Sequence, residues 1–322
     1  MKKNNRKVIL GATIMALGTA TGVLYALTLK KLMHIAIYRE TPKAFIKNRE
    51  KITARGFSKE VFEKMDISAK ELRMSGCEKI EIKGKDGIIL SGHCYNHKNP
   101  KRIIIAMHGW RSSWCKDFGL ISPFWHNNDC MVIYAEQRGQ GESGGEYMSF
   151  GLLERYDCLE WIKWVNEKTG GELPIYLGGV SMGATTVLMA AGEDLPKNVK
   201  GIIADCGFTS PKEIWKHVAK NNLHIPFGAY GMAADDICHK KLNVKSDSYS
   251  SVDAMSKCKV PVLFIHGTDD NFVPISMTYE NYKACASPKK LFIVPGAEHG
   301  MSYLKDKTGY ENAMKSFWEE ND

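Results

Sequence analysis

The sequence has no Cys-x-x-Cys pair and no His-Glu-x-x-His, so the ligand spacings of a structural zinc site and of a zinc protease are both missing. Its nine cysteines are scattered and odd in number, which argues against a disulfide framework. They read instead as small buried hydrophobes kept reduced. It lacks internal repeats and low-complexity segments, which excludes solenoids and disordered tails. It also lacks a basic stripe interleaved with aromatics, so the net charge of +8 does not point to nucleic acid. Much of that charge sits in the first 51 residues, among them Lys2, Lys3, Arg6, Lys7, Lys30, Lys31, Arg39 and Lys43. These flank an apolar run, a pattern suited to an anionic membrane surface.

What is present begins with that run. Residues 8–29 carry no charge. Twenty-two helical residues span ~33 Å, enough for a hydrocarbon core of ~30 Å. The run continues past Gly18-Thr19-Ala20, the one candidate cleavage site, so we expect an uncleaved, single-pass anchor in the cell membrane. Basic residues on both sides of it leave the side of the membrane open. The expected organisation is an anchor over 1–30, a helical linker over 31–77 and a catalytic domain over 78–322. Within the linker, 41–72 reads as amphipathic helix broken at Gly56.

From Glu78 the period changes to that of strands. Ile80 and Ile82 alternate with charged residues, and Gly84-Lys85-Asp86-Gly87 makes a hairpin turn before Ile88-Ile89-Leu90. Short apolar runs at 102–107, 130–135, 175–179, 201–205, 261–266 and 290–294 suit parallel strands buried on both faces. Helical patterns separate them, the clearest over 152–168. The fold class is therefore α/β, with a mostly parallel eight-stranded sheet and helices on both faces. Roughly 55 residues lie between Asp205 and Pro261, far more than a crossover needs, so 207–258 is expected to form an inserted helical cap. Its Phe208, Trp215, Phe227 and Tyr230 suit an acyl pocket or ordinary core packing equally well.

The chemistry centres on Gly179-Val180-Ser181-Met182-Gly183, placed between a buried strand and a helix. A serine alcohol is a weak nucleophile and must be exposed beside a base. A sharp strand-to-helix turn does this, with glycines that let the backbone pass closely. Ser181 is the expected nucleophile. His299 follows the last strand and is the expected general base, on the sheet edge where open α/β folds place their sites. Asp205, Asp269 and Asp270 all stand at strand ends as candidate orienting acids. His108-Gly109-Trp110 follows the strand at 102–107, so the backbone N–H groups of Trp110 and Met182 are expected to form an oxyanion hole. The Trp110 ring also suits a hydrophobic gatekeeper. His266 reads as structural.

Together these motifs resemble the α/β-hydrolase superfamily. The signature residues are His108-Gly109, Arg138 to Ser143, Gly179 to Gly183, His266-Gly267 with Asp270, and His299. They are similar to its bacterial serine aminopeptidase-like and prolyl-oligopeptidase-like branch, many members of which carry an N-terminal membrane anchor. The resemblance spans roughly 78–320 and is specific for fold and triad, not for substrate. It implies an α/β-hydrolase fold, and it selects Asp270 because His-Gly-x-x-Asp-x-x-Val matches 266–273. One departure is Glu136, where the family commonly has Asp. The implied activity is hydrolysis of a carboxylic ester or amide through an acyl-enzyme, with no cofactor or metal. A peptidase or an acyltransferase would use the same triad, and a non-catalytic binding protein is the alternative of a different class. The expected substrate is a small acyl ester, a lipid or a short peptide. Gly139 to Gly144 also fits G-x-G-x-x-G, but no helix opens directly after it, which argues against a dinucleotide site.

Overall fold

A computed structural model describes residues 25–43, 46, 47 and 58–322. The alternation of Ile80 and Ile82 with Lys79, Glu81 and Lys83 gives β1 (Glu78–Lys83), its two isoleucines buried and its charges exposed. β1 pairs antiparallel with β2 (Ile89–Tyr95), Ile82 opposite Leu90. The Gly87 N–H donates to the Gly84 carbonyl at 2.9 Å across the turn. β2 pairs antiparallel with β4 (Cys130–Ala135). The remaining pairings are parallel and join β4, β3 (Arg102–Met107), β5 (Ile175–Val180), β6 (Val199–Asp205), β7 (Val262–Gly267) and β8 (Lys289–Val294). The sheet has eight strands in the order β1-β2-β4-β3-β5-β6-β7-β8.

Every residue of β3, β4 and β7 is buried, because helices cover both faces. Besides the helix at 25–37 and a short turn of helix at Ser302–Lys305, the helices among the described residues are, in chain order, α1 (Lys59–Arg73), α2 (Trp114–Phe118), α3 (Ser122–Asn127), α4 (Glu154–Thr169), α5 (Met182–Ala190), α6 (Pro211–His217), α7 (Gly228–Leu242), α8 (Ser251–Met255), α9 (Ile275–Ala284) and α10 (Lys307–Asn321). Side chains of β3 divide between the faces with period two. Ile103, Ile105 and Met107 meet Trp161 and Ile162 of α4 and Val187 and Leu188 of α5. Ile104 and Ala106 meet Trp114 and Phe118 of α2, Phe124 and Trp125 of α3, and Phe317 and Trp318 of α10.

The long interval between β6 and β7 holds α6, a π-helical turn at Val218–Asn222, and α7. Its last helix, α8, packs on α5 and α9 in the body of the domain. In the linker, α1 starts at Lys59, where the Ser58 hydroxyl accepts from the Val61 N–H. Gly56, the expected break, lies outside the described residues.

Residues 8–24 of the expected anchor also lie outside the described residues, and no helix among those described is long and apolar enough to cross a membrane. The described residues 25–37 are helical, and this segment rests on the protein. Leu29, Met33 and Ile37 are buried in one cluster with Phe150, Phe208, Ile214 and Phe272. Beyond it, Tyr38 makes a β-bridge to Tyr147.

Candidate active site

The strand-to-helix turn after β5 is tight for steric reasons. A Cβ on Gly183 would lie 1.8 Å from the Met107 carbonyl oxygen, and one on Gly179 would lie 2.3 Å from the Gly183 carbonyl carbon. Only glycine lets α5 leave β5 this close to β3. Ser181 sits between them at φ 56° and ψ −117°, a region a residue with Cβ enters only under strain. Its N–H is held by the Asp205 carbonyl at 2.8 Å. The turn projects the hydroxyl over the C-terminal edge of the sheet.

There it meets His299, which arrives from the loop after β8. Nε2 lies 2.9 Å from Ser181 Oγ, and Nδ1 lies 2.6 Å from Asp270 Oδ2. A carboxylate only accepts, so Nδ1 carries the proton and Nε2 accepts from the serine. Asp270 is fully engaged. Its Oδ1 accepts the N–H groups of Phe272 at 2.9 Å and Val273 at 2.8 Å, and its Oδ2 also faces His266 Nε2 at 3.1 Å. Burial pushes this carboxyl upwards, but His299 and the hydrogen bond from His266 outweigh it and hold it below the ordinary carboxylate range.

The other candidate acids sit elsewhere. Asp205 is buried and its Oδ1 accepts from Ser302 Oγ at 3.1 Å. Burial pushes it up to about 6. Asp269 is exposed and accepts from the Thr268 hydroxyl at 2.8 Å.

The loop after β3 lies against Ser181: a Cβ on Gly109 would be 3.4 Å from that of Ser181. Two residues that no motif marked hold this loop. The Gly109 N–H donates to Asp117 Oδ2 at 2.6 Å, and the Ser112 hydroxyl donates to Asp117 Oδ1. On the other side, His108 Nε2 accepts from the Gln137 N–H at 3.2 Å, so its Nδ1 donates to the Gly109 carbonyl at 2.8 Å. Trp110 Nε1 donates to the Ala36 carbonyl at 2.8 Å, and Met182 is buried at the first position of α5.

Glu136 replaces the family's usual aspartate. Its longer arm reaches His93 Nε2 at 3.2 Å and accepts the Glu142 N–H. A Cβ on Gly141 would strike Glu136 Oε2, so the two residues fit only together. The glycines of 139–144 thus fold around Glu136 and Ser143, whose hydroxyl donates to the Glu136 carbonyl at 2.5 Å.

Two cavities lie in this region. A mixed polar cleft holds Ser181, His299, Gly109, Ser112, Lys116 and Met301. An apolar cavity lies between the helix at 25–37 and the cap. Trp110 and Phe272 line both, with the Phe272 ring centred 5.1 Å from that of His299. Of the four cap aromatics singled out from the sequence, Trp215, Phe227 and Tyr230 line the apolar cavity; Phe208 is buried beside Phe150. Cys206, Asp270 and His299 present metal-ligating atoms within 4.8 Å of one another, and an ion there would displace the proton between Asp270 and His299.

Comparison with known proteins finds a family, relatives and solved structures that this chain resembles. The model of the prolyl oligopeptidase family matches residues 117–321. The uncharacterized protein YqkD of Bacillus subtilis is 30% identical over 225 residues, 70% of this chain and 73% of its own. Lysophosphatidylserine lipase ABHD12 of Danio rerio is 25% identical over 162 residues, 50% of this chain and 41% of its own. Among solved structures, the Pyrococcus furiosus esterase Pf2001 superposes with a TM-score of 0.63 at 20% identity, over 76% of this chain and 91% of that one.

Proposed function

Since the chain belongs to the prolyl oligopeptidase family of α/β-hydrolases, we propose that it is a serine hydrolase cleaving carboxylic ester bonds through an acyl-enzyme on Ser181. The observation that carries this reading is the continuous relay from Ser181 Oγ to His299 Nε2 at 2.9 Å and from His299 Nδ1 to Asp270 Oδ2 at 2.6 Å.

In the first step Ser181 Oγ attacks the ester carbonyl carbon while His299 Nε2 takes the hydroxyl proton. Asp270 keeps the second imidazole proton on Nδ1 and stabilises the imidazolium without accepting that proton. The backbone N–H groups of Trp110 and Met182 receive the negative oxygen of the tetrahedral intermediate. Collapse breaks the bond to the alcohol, which leaves with the proton from Nε2. Water then attacks the acyl-serine, returning its proton through Nε2, and the carboxylic acid departs.

Ester rather than amide substrates are favoured by the apolar cavity beside the nucleophile, which offers an acyl chain burial but gives a peptide backbone few partners. The names of ABHD12, a lysophosphatidylserine lipase, and of the Pyrococcus esterase point the same way. In this reading the uncharged N-terminal run ahead of the helix that packs on the protein tethers the enzyme to the cell membrane, close to lipid esters. The test is stoichiometric labelling by a fluorophosphonate probe. Modification of Ser181 and its loss in Ser181→Ala are expected; an unlabelled wild-type chain would remove the proposal.

A further inference from the structure

The helix at 25–37 closes the apolar cavity from outside. Leu29, Leu32, Met33 and Ala36 form that wall, and Ile214 and Ala219 of the cap region face them. The floor is Trp110 and Phe272, which also line the cleft containing Ser181. Trp110 and Phe272 are thus the boundary that the cavity shares with the cleft holding Ser181. The volume of the cavity is about 100 Å³. A dry apolar cavity of ~150 Å³ accepts one benzene, so this one admits a stretch of a single chain.

The wall is fixed to the catalytic loop by its own C-terminal carbonyls, the groups a helix leaves without intrahelical partners. The Arg111 guanidinium donates to the Ile35 carbonyl through Nε at 2.9 Å and Nη2 at 2.8 Å, and to the Tyr38 carbonyl at 2.7 Å. Trp110 Nε1 donates to the Ala36 carbonyl at 2.8 Å. A cation at a helix C-terminus is also favoured by the helix dipole. Arg39 continues the seam, donating to the carbonyls of Gly141 and Ser143 at 2.5 Å each. Consecutive residues of one loop thus carry the expected oxyanion donor and the clamp on the helix.

We infer that the helix at 25–37 is the outer wall of a pocket for one unbranched acyl chain, so that the segment preceding the hydrolase domain sets acyl-chain preference. This rests on Ser181 being the acyl-accepting nucleophile. Unlike a linker, the segment contributes side chains that touch the substrate.

The experiment uses the full chain in phosphatidylcholine vesicles and compares kcat/KM for p-nitrophenyl octanoate and p-nitrophenyl acetate. Ala36→Leu fills the cavity from the helix side and suits a helix; Ala219→Leu fills it from the cap side. Leu27→Ala, at an exposed position of the same helix, is the control. Because lost burial of one or two methylenes changes selectivity by roughly tenfold or more, the octanoate-to-acetate ratio is expected to fall at least that far in both filled variants. It should stay at the wild-type value in the control. A ratio within about threefold of wild type in Ala36→Leu overturns the role of the helix, even if Ala219→Leu falls, since the chain then lies against the cap alone. Wild-type protein that turns over neither ester overturns the serine-hydrolase reading, and this inference with it.

Discussion

His266 Nε2 lies 3.1 Å from Asp270 Oδ2, the same oxygen that meets His299 Nδ1 at 2.6 Å. His266 Nε2 also faces the Val273 carbonyl at 3.0 Å, so it carries a proton and donates, while its Nδ1 accepts from the Thr278 hydroxyl at 2.6 Å. Under the proposed serine-hydrolase reading, His266 is a positioning residue that acts on His299 through Asp270. His266→Phe keeps a ring but deletes the donor to a buried carboxylate. We expect kcat to fall roughly 10- to 100-fold, the worth of one charge-assisted hydrogen bond, with KM nearly unchanged. Steady-state kinetics on a short ester would check this; an effect confined to KM would place His266 in substrate binding.

Asp270→Asn should cost ~10⁴-fold in kcat, because an amide at that place stabilises the wrong histidine tautomer. Asp205→Asn and Asp269→Asn should stay within about tenfold of wild type, as their carboxylates bond to Ser302 and Thr268. A crippled Asp205→Asn beside a nearly active Asp270→Asn would move the acid to the end of β6.

Asp205 also makes a stability prediction with a definite sign. Burial raises its carboxyl to about 6 in the folded state. At this site the folded chain therefore holds a proton that the unfolded chain releases between the ordinary aspartate value and about 6, so the contribution of Asp205 to stability falls as pH rises through that window. Asp205→Asn removes the buried charge and can still accept from Ser302. Its melting temperature should exceed that of wild type at pH 7.5, and the gain should vanish by about pH 4. An equal gain at both pH values would mean that the charge is not its source.

Several elements were legible in the sequence for a simple reason. A strand buried on both faces must be apolar throughout, so β3 and β4 coincide with the runs at 102–107 and 130–135, and the ends of β5 to β8 differ by at most two residues. Ser181 and His299 stood out because the elbow needs glycines and the order along the chain places both on one sheet edge. Choosing Asp270 over Asp205 needed the family resemblance; local pattern alone left three acids open. The bonds of Asp117, Gln137 and His266 were not legible, since each depends on how separate loops meet. Nor was the role of the helix at 25–37. An apolar stripe looks the same whether it faces lipid or a cap, and Leu29, at the end of the uncharged run, is buried against the protein.

The most direct measurement is rapid mixing of the full chain with p-nitrophenyl acetate, followed by quenching and mass spectrometry of the peptide containing Ser181. The acyl-enzyme account predicts acetyl on Ser181, a burst of one p-nitrophenolate per protein when deacylation is slower than acylation, and neither signal in Ser181→Ala. Turnover of the ester by Ser181→Ala at the wild-type rate, or acetyl trapped on a different residue, would contradict it.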